Sequence, residues 1–356
     1  MAIRVLHIDA GTSWRGGQHQ VLLLARGLRD SGIEGVIVAQ PGSPLAERAA
    51  REGLRVERIT MRGDLDVAAA RRLRAVIRET RVDLVHAHNG RAHAVALLAL
   101  AVRGAPPLLV ARRVAIPPKR SRLKYGARVA RFIAVSHAVE RTLIAAGVES
   151  ERIEVVHDGV PAPGLVAPRD WRGELGWPEE TILCGLVGAM TGEKGIDMLE
   201  AIAGRLDRSV ARRAGIILLG GTAPSPADRS APIGGVRADR AGFVEEIDAA
   251  VAGLDMLWHP ATSEGLGTAL IDGLARGVPP IAFAVGGIPE VVVDGECGLL
   301  VEPGDVAGFA AAAARLLEDE ALRRRLAAAG PARAAEFGVD RMVEKTVAIY
   351  RSLREM

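Results

Sequence analysis

The sequence has few features of an extracellular or membrane-spanning protein. Its 356 residues include only two cysteines, Cys184 and Cys297, and neither has a partner at metal-ligand or redox-motif spacing. This favours a reducing compartment, so we expect a cytoplasmic protein. No run of about 18 apolar residues is present that would span a membrane. The longest candidate, 92–102, is interrupted by His93. The first residues predict a short strand rather than a signal peptide, because polar residues interrupt their apolar run.

Aromatic residues are scarce, at 3% of the chain, and acidic residues are missing from one long segment. Between Asp83 and Glu140 there is no acid, whereas ten Arg and Lys residues occur there. Composition alone would explain this if the abundant arginines fell there by chance. The alternative is a basic face toward anionic lipid or a phosphorylated acceptor. Nucleic acid is not expected as a partner, because Tyr125 and Phe132 alone give a poor stacking platform.

The chain is long enough for two domains, and its apolar pattern repeats in two halves. Short, nearly continuous apolar runs alternate with amphipathic segments, which predicts parallel sheets covered by helices on both faces. The Pro- and Gly-rich segment 159–164 is typical of an inter-domain linker. The final segment, 341–354, predicts an amphipathic helix. We expect the two sheets to face each other across a cleft that binds ligands in loops after strands.

The predicted strands alternate with helices in both halves. They lie at Arg4–Ile8, Gly35–Ala39, Arg55–Ile59, Leu84–His86, Leu108–Ala111, Arg131–Val135, Ile153–Val156, Ile182–Val187, Gly215–Leu219, Met256–Trp258 and Pro280–Ala284.

The most informative loop is Ser263 to Gly267, which precedes a predicted helix at Thr268–Arg276. Glu264 is followed by Gly265-Leu266-Gly267, and these glycines allow backbone N–H groups to approach an anion at a helix N-terminus. A carboxylate beside an anion site suits a ligand that is part phosphate and part polyol, such as a nucleotide sugar. Asp272 lies in the same predicted helix. It would be a second acid of this site, or it would be a surface acid.

A second charged loop follows the predicted strand Ile182–Val187. Lys194 lies between Glu193 and Gly195, just before a predicted helix. Such a lysine suits a pyrophosphate clamp and supplies a charge for a leaving diphosphate. The alternative is an exposed loop lysine, although the chain has only four lysines among 46 basic residues.

Two pairs in the first half also follow predicted strands. Gly16-Gly17 would let the backbone approach a phosphate, or would form a plain turn. Arg112-Arg113 would bind an acceptor phosphate, or would be ordinary surface arginines.

His86 and His88 lie two residues apart at the end of another predicted strand, so their side chains would point the same way. Metal binding is not expected, because no third ligand stands at a useful spacing. We expect His88 to line the cleft and contact an acceptor hydroxyl, and His86 to be packed.

Several motifs occur together in a recognisable order. They are Lys194-Gly195, Glu264-Gly265-Leu266-Gly267 with an acid at 272, Gly277-Val278-Pro279, Gly286-Gly287-Ile288-Pro289-Glu290 and Gly298-Leu299-Leu300-Val301, with Gly16-Gly17, Val85-His86-Ala87-His88 and Ala134-Val135-Ser136 as looser matches. This combination resembles glycosyltransferase family 4. The resemblance implies a GT-B fold, with two Rossmann-like parallel-sheet domains facing across a cleft and a final helix that crosses back to the first domain.

The resemblance assigns an acceptor-binding domain to 1–163, a nucleotide-sugar-binding domain to 164–338 and the returning helix to 339–356. It implies retaining sugar transfer from a nucleotide diphosphate sugar, with no obligatory metal and no other cofactor. Together with the acid-free segment, it leads us to expect a glycan or lipid-linked acceptor in cell-envelope polysaccharide or lipopolysaccharide biosynthesis, and peripheral contact with an anionic membrane. The alternatives are a nucleotide-sugar 2-epimerase on the same fold and a non-catalytic nucleotide-sugar-binding protein.

Carried over to this sequence, the resemblance also implies residue roles. Lys194 would hold the diphosphate, Glu264 would bind sugar hydroxyls with the amides of 265–268, and Asp272 would contact the ribose. Gly16 or Gly17 would approach the β-phosphate, and His88 would contact the reacting sugar. Two positions depart from the family: Asp272 replaces a glutamate, and Ala189 replaces an arginine.

Overall fold

The computed structural model describes residues 3–115, 122–164, 166–222 and 224–355. The chain forms two compact units. Unit 1 combines Met1–Gly159 with Val339–Met356, and unit 2 is the continuous segment Val160–Gly338. Among the described residues, no helix is both long enough and apolar enough to cross a membrane.

In the described part of unit 1, seven parallel strands form one sheet in the order β3-β2-β1-β4-β5-β6-β7. The strands are β1 (Arg4–Ile8), β2 (Glu34–Ala39), β3 (Arg55–Arg58), β4 (Leu84–Ala87), β5 (Leu108–Arg112), β6 (Arg131–Ala134) and β7 (Ile153–Val155). The direction of strand addition reverses between β1 and β4, which is where ligands bind in doubly wound sheets. At this reversal His7 of β1 lies opposite His86 of β4.

Helices cover this sheet. They are α1 (Gly16–Asp30), α2 (Pro44–Arg51), α3 (Val67–Thr80), α4 (Gly90–Ala99), α5 (Arg122–Tyr125) and α6 (His137–Ala145), with the C-terminal helix described below. Local capping begins several of them: the side chains of Ser43, Asp66, Asn89 and Ser136 each accept from a backbone N–H of the first turn.

In the described part of unit 2, six parallel strands form a second sheet in the order β10-β9-β8-β11-β12-β13. The strands are β8 (Ile182–Val187), β9 (Ala214–Leu219), β10 (Arg237–Gly242), β11 (Met256–His259), β12 (Pro280–Phe283) and β13 (Leu299–Val301). The helices are α7 (Trp171–Leu175), α8 (Leu199–Ala203), α9 (Arg208–Arg213), α10 (Pro226–Arg229), α11 (Ile247–Ala252), α12 (Thr268–Ala275), α13 (Val306–Glu318) and α14 (Glu320–Ala334). The core of this unit includes Trp258, Phe283 and Phe309.

The last helix, α15 (Val339–Arg354), belongs to unit 1 although it follows unit 2 in sequence. Its apolar face joins the core that contains Leu24 and Leu28 of α1. The two helices approach closely at Gly27, where an added Cβ would overlap a methyl group of Val343. Tyr350 is fully buried, and its hydroxyl lies 2.7 Å from Nδ1 of His86. The expectation that the final helix returns to the first domain is confirmed.

Candidate active site

The two predicted charged loops of unit 2 follow neighbouring strands at the reversal point of the sheet. Lys194 ends a short 3₁₀ turn after β8, and Glu264 lies in the loop between β11 and α12. Because β8 and β11 are adjacent and parallel, their C-terminal loops emerge side by side.

Close backbone contacts lock these loops together. Gly195 has φ +74°, and a Cβ at this position would overlap the carbonyl oxygen of Pro260. Only glycine combines this left-handed conformation with such a close approach. The N–H of Thr262 also donates to the carbonyl of Glu193, at 3.0 Å. Lys194 therefore lies beside the loop that contains Glu264.

The Glu264 carboxylate is the centre of the arrangement. Its Oε2 atom pairs with Lys194 Nζ and lies 3.1 Å from His259 Nε2, and the N–H of Gly265 donates to Oε1 at 3.2 Å. Burial alone would raise the pKa of Glu264, but the His259 hydrogen bond and the Lys194 charge outweigh it and lower the pKa to about 2. The carboxylate is therefore ionised at neutral pH, although only 15% of its side chain is exposed.

His259 is buried, and burial lowers its pKa against the opposing effect of the Glu264 hydrogen bond. The ring is therefore neutral at pH 7. Since Glu264 can only accept, the neutral ring donates through Nε2–H.

The glycine loop places Glu264 beside the start of α12. Leu266 is 2% exposed and anchors the loop, and Gly267 has φ +98° directly before the first helical residue, Thr268. No side chain among the described residues caps this helix, so its first amides can bind an anionic ligand. The N–H of Gly287, in the loop after β12, donates to the carbonyl of Glu264 at 3.3 Å.

Asp272 lies one turn further along α12 and is tied to its own helix. Arg276 donates to the Asp272 carbonyl at 2.9 Å and lies 3.6 Å from the Asp272 carboxylate. The same guanidinium is 2.5 Å from Asp248 of α11. Burial raises the pKa of Asp272 against the effect of Arg276. The Asp272 carboxylate thus belongs to a charge network with Arg276 and Asp248.

In unit 1, His88 lies in a buried network at the reversal point. Its Nε2 is 3.0 Å from His7 Nδ1, and Arg113 lies 3.4 Å from its Nδ1. Because a guanidinium can only donate, His88 carries its proton on Nε2 and donates to His7. Arg113 also binds Asp158 at 3.0 Å. A Cβ on Gly17 would lie 4.0 Å from Arg113, so the predicted Gly16-Gly17 turn, which begins α1, adjoins this network.

The two predicted arginines have different surroundings. Arg113 belongs to the His88 network, whereas Arg112 lines a separate pocket with Asn89 and His93. His86 is packed, as expected, and contacts Tyr350.

A third histidine joins the predicted pair. One ring nitrogen from each of His7, His86 and His88 lies within 4.8 Å of the others, and this is the group in the described chain that could hold a metal ion. A metal there would have to break the His7–His88 hydrogen bond, and the nearby charge of Arg113 opposes a cation. The histidines fit a hydrogen-bonded network better than a metal site.

Sequence reasoning missed His7, His259 and Asp158 as partners of predicted residues. His7 and His259 are polar residues at or near the C-terminal ends of buried strands. That position was the available signal, because loops and side chains there line ligand sites in parallel sheets.

Comparisons with known proteins cover both units. The family described as Glycosyltransferase Family 4 matches residues 14–162, and Glycosyl transferases group 1 matches residues 168–333. A 2-deoxystreptamine N-acetyl-D-glucosaminyltransferase from Streptomyces fradiae is 30% identical over 97% of this chain and 94% of its own length. A D-inositol 3-phosphate glycosyltransferase from a Nocardioides species is 31% identical over 58% of this chain, which spans half of that relative's length.

The solved structures include Anabaena HepE in complex with UDP and glucose. It superposes with a TM-score of 0.84, covers 98% of this chain and 100% of its own, and is 19% identical. This likeness establishes the two-sheet GT-B fold. With the family matches and the full-length relative, it shows that the chain belongs to the GT-B glycosyltransferases of family 4.

Proposed function

We propose that this enzyme transfers a sugar, with retention of configuration, from a nucleotide diphosphate sugar to an acceptor hydroxyl. The observation that carries the proposal is the ionised Glu264 carboxylate between Lys194 and His259, beside the uncapped start of α12. A carboxylate binds sugar hydroxyls, and the lysine and helix amides bind phosphate. The complexes of HepE with UDP and UDP-glucose support uridine nucleotides as the first donors to test.

Each residue has a role in the proposed reaction. Lys194 leaves Glu264 for the diphosphate when the donor binds, and Asp272 would contact the ribose. As the C1–O bond to the diphosphate breaks, Lys194 and the first amides of α12 stabilise the growing charge on the leaving oxygen. The acceptor attacks from the same face, and a leaving phosphate oxygen takes its proton. From unit 1, His88 would contact the reacting sugar and the Gly16-Gly17 turn would approach the β-phosphate. No metal or other cofactor takes part.

We propose that the acceptor group is a polyol hydroxyl. The acid-free segment between Asp83 and Glu140 supports a lipid-linked or glycan acceptor of the cell envelope, reached by a cytoplasmic enzyme at the inner face of the membrane. The named acceptors of the relatives, 2-deoxystreptamine and D-inositol 3-phosphate, support a free cyclitol derivative instead. Both classes present ring hydroxyls to the donor.

The test uses purified protein with a panel of nucleotide sugars. Donor binding is measured by thermal shift, and nucleotide release and product stereochemistry are measured with acceptor extracts and cyclitols. We expect Glu264→Gln to lower turnover by about 100-fold or more. The matched control is Glu318→Gln, an exposed acid at the end of α13, which should leave turnover unchanged.

Other outcomes would contradict the proposal. Full turnover in Glu264→Gln would remove Glu264 from the site. An epimer formed from the donor alone would indicate a 2-epimerase. Tight donor binding without turnover in any acceptor extract would indicate a nucleotide-sugar-binding protein.

A further inference from the structure

Arg113 is a partly buried arginine of unit 1 whose guanidinium still has donors for a ligand. It follows β5 directly, and its side chain is 14% exposed. Its Nε donates to Oδ1 of Asp158 at 3.0 Å, and its Nη1 lies 3.4 Å from both Nδ1 and the carbonyl oxygen of His88. Its Nη2 has no hydrogen-bond partner among the described residues. A guanidinium has five N–H donors, so the two on Nη2 remain for a ligand.

Asp158 and His88 hold this guanidinium in one orientation. The Asp158 side chain is 10% exposed, so the ion pair is largely removed from water. Burying such a pair costs hydration free energy that the mutual attraction only roughly offsets. The guanidinium is planar and its N–H groups point in fixed directions, so the contacts of Nε and Nη1 also determine where Nη2 points. The pair is therefore better explained by the orientation that it gives to Arg113 than by stability.

The Arg113 side chain lies beside the Gly16-Gly17 turn that begins α1. A Cβ on Gly17 would lie 4.0 Å from Cδ of Arg113. No side chain in the described chain caps α1, and its first turn contains no acid. The first amides of this 15-residue helix are therefore available to an anion, and the helix dipole favours one there. Arg113 adds a full positive charge next to the turn that is proposed to approach the β-phosphate.

The departing diphosphate carries more than one negative charge and gains another as the bond to the sugar breaks. In the described part of unit 2, Lys194 is the cation that pairs with Glu264, and burial keeps His259 neutral. Hydrogen-bond donors that are oriented before the reaction stabilise developing charge best, because they need no reorganisation. Asp158 and His88 orient Arg113 in this way, so Arg113 is suited to share the charge with Lys194.

We infer that Arg113 is a catalytic residue that binds the β-phosphate of the donor and stabilises the charge on the leaving oxygen. The inference rests on the proposed transferase function and deepens it, and it assigns Arg113 to the donor rather than to an acceptor phosphate. In the transfer, the C1–O bond breaks and its electron pair goes to the diphosphate oxygen that Arg113 contacts. The acceptor oxygen bonds to C1, and its proton passes to the departing phosphate. Asp158 is a positioning residue that acts through Arg113.

The first arm of the test compares nucleoside diphosphates with monophosphates by calorimetry on the full chain. The probes are UDP, CDP, GDP, ADP and dTDP, together with the corresponding monophosphates, which lack the β-phosphate. We expect the parent to bind one diphosphate more tightly than its monophosphate. Arg113→Gln should lose about tenfold in affinity for that diphosphate and keep its affinity for the monophosphate. The matched control is Arg103→Gln, at an exposed position of the same unit, which should keep both affinities.

The second arm measures sugar transfer by the same variants. Arg113→Gln should lower kcat by about 100-fold, because it removes a donor to the leaving group. Arg113→Lys should retain part of the activity, because it keeps the charge and loses the planar fork. Asp158→Asn should lower kcat less than Arg113→Gln, because the guanidinium is still present. The KM for the acceptor should stay unchanged in all three, because the contact is made to the donor.

The double variant Arg113→Gln, Asp158→Asn separates a catalytic role from a structural one. Arg113→Gln alone leaves the Asp158 carboxylate buried without its cation, which destabilises a fold. In the double variant the two side chains are neutral amides that can hydrogen-bond each other. If Arg113 served only to neutralise Asp158, the double variant would regain the parental kcat. A phosphate contact predicts a folded protein, as read by circular dichroism, with kcat still about 100-fold below the parent.

Parental turnover in the double variant would overturn the inference. A parent that prefers no diphosphate over its monophosphate would also overturn it, as would a preference that Arg113→Gln leaves unchanged. Failure of the proposed function gives a different result. Arg113-dependent binding of a diphosphate without sugar transfer to any acceptor would refute the transfer reaction and retain the β-phosphate contact. Sugar transfer that does not depend on Arg113 would remove this residue alone.

Discussion

Two neighbours of Glu264 lower the pKa of its carboxyl group by more than burial raises it. His259 ends the strand before the Glu264 loop, Lys194 lies 70 residues away in sequence, and together they keep the carboxylate ionised. A buried carboxylate without such partners would take up a proton more readily. This arrangement requires the backbones of the two loops to approach closely at Gly195.

Gly195 therefore carries a prediction. Gly195→Ala forces a Cβ onto the Pro260 carbonyl and also strains a backbone with φ +74°. We expect donor affinity to fall and the free energy of unfolding to drop by more than the roughly 1–2 kcal/mol that left-handed strain alone costs. Thermal shift with a nucleotide sugar and urea denaturation measure both quantities.

Gly235→Ala is the matched control. Its φ is +82°, but no atom lies within 4 Å of the added Cβ, so it tests strain without overlap. If the two variants lost equal stability and kept equal donor affinity, the close approach at Pro260 would have no part in the site.

Single residues were predictable where their local pattern was informative. The glycines around Leu266 and the strand–loop–helix order marked Glu264 and Lys194 from sequence alone. The partners of those residues were not predictable in the same way. His259 lies five residues before Glu264, but Lys194 lies 70 residues away, and only the pairing of β8 with β11 brings their loops together.

At the scale of elements, apolar runs predicted the buried strands well, and Ile182–Val187 has the predicted bounds. The two edge strands of the second sheet, β10 and β13, were not predicted. β10 includes Arg237, Asp239 and Arg240. An edge strand can carry charge without an apolar run. Helix α14 was not predicted either, because its apolar residues form no clear stripe and it contains Pro331.

Strand pairing also creates the histidine network, because the register of β1 and β4 sets His7 opposite His86. Burial lowers the pKa of His7 to about 3, from 6.5 in an unfolded chain. The folded state therefore excludes a proton that the unfolded state binds. The contribution of neutral His7 to the free energy of unfolding is complete above pH 6.5 and is lost as the pH falls from 6.5 toward 3.

Urea midpoints measured by far-UV circular dichroism at pH 7, 6 and 5 should fall with pH. In His7→Asn, whose amide oxygen can take the place of Nδ1, the pH dependence should be smaller by up to about 1.4 kcal/mol per pH unit. The exposed His137→Asn should keep the parent slope. An unchanged slope in His7→Asn would mean that His7 is not a buried neutral group.

At the scale of the whole molecule, unit 1 needs both ends of the chain. Helix α15 adds seven buried residues to unit 1: Met342, Val343, Thr346, Val347, Ile349, Tyr350 and Leu353. Unit 2 is continuous, and its hydrophobic core includes no residue of this helix among the described residues. The repeated apolar rhythm predicted two sheets, and the amphipathic pattern of 341–354 predicted a packed helix. Only the family resemblance predicted that this helix packs on the first domain, because amphipathicity does not specify a partner.

A chain that ends at Gly338 should lose amide protection in α1 and β4, because Leu28 and His86 lose their cover, while β8 and β9 keep theirs. Hydrogen exchange read by mass spectrometry resolves these segments. The control chain ends at Arg354 and should match the parent. Equal loss of protection in both units would contradict the assignment of α15 to unit 1.

The discontinuity of unit 1 has a consequence for synthesis on the ribosome. Residues 1–159 are translated before unit 2, but the helix that completes their core is translated after all of unit 2. The face of α1 around Leu24 and Leu28 stays uncovered until α15, which follows all of unit 2 in sequence, has been translated. The nascent chain therefore presents an unfinished apolar surface for about 180 residues of translation, and this surface is where we expect chaperones to bind.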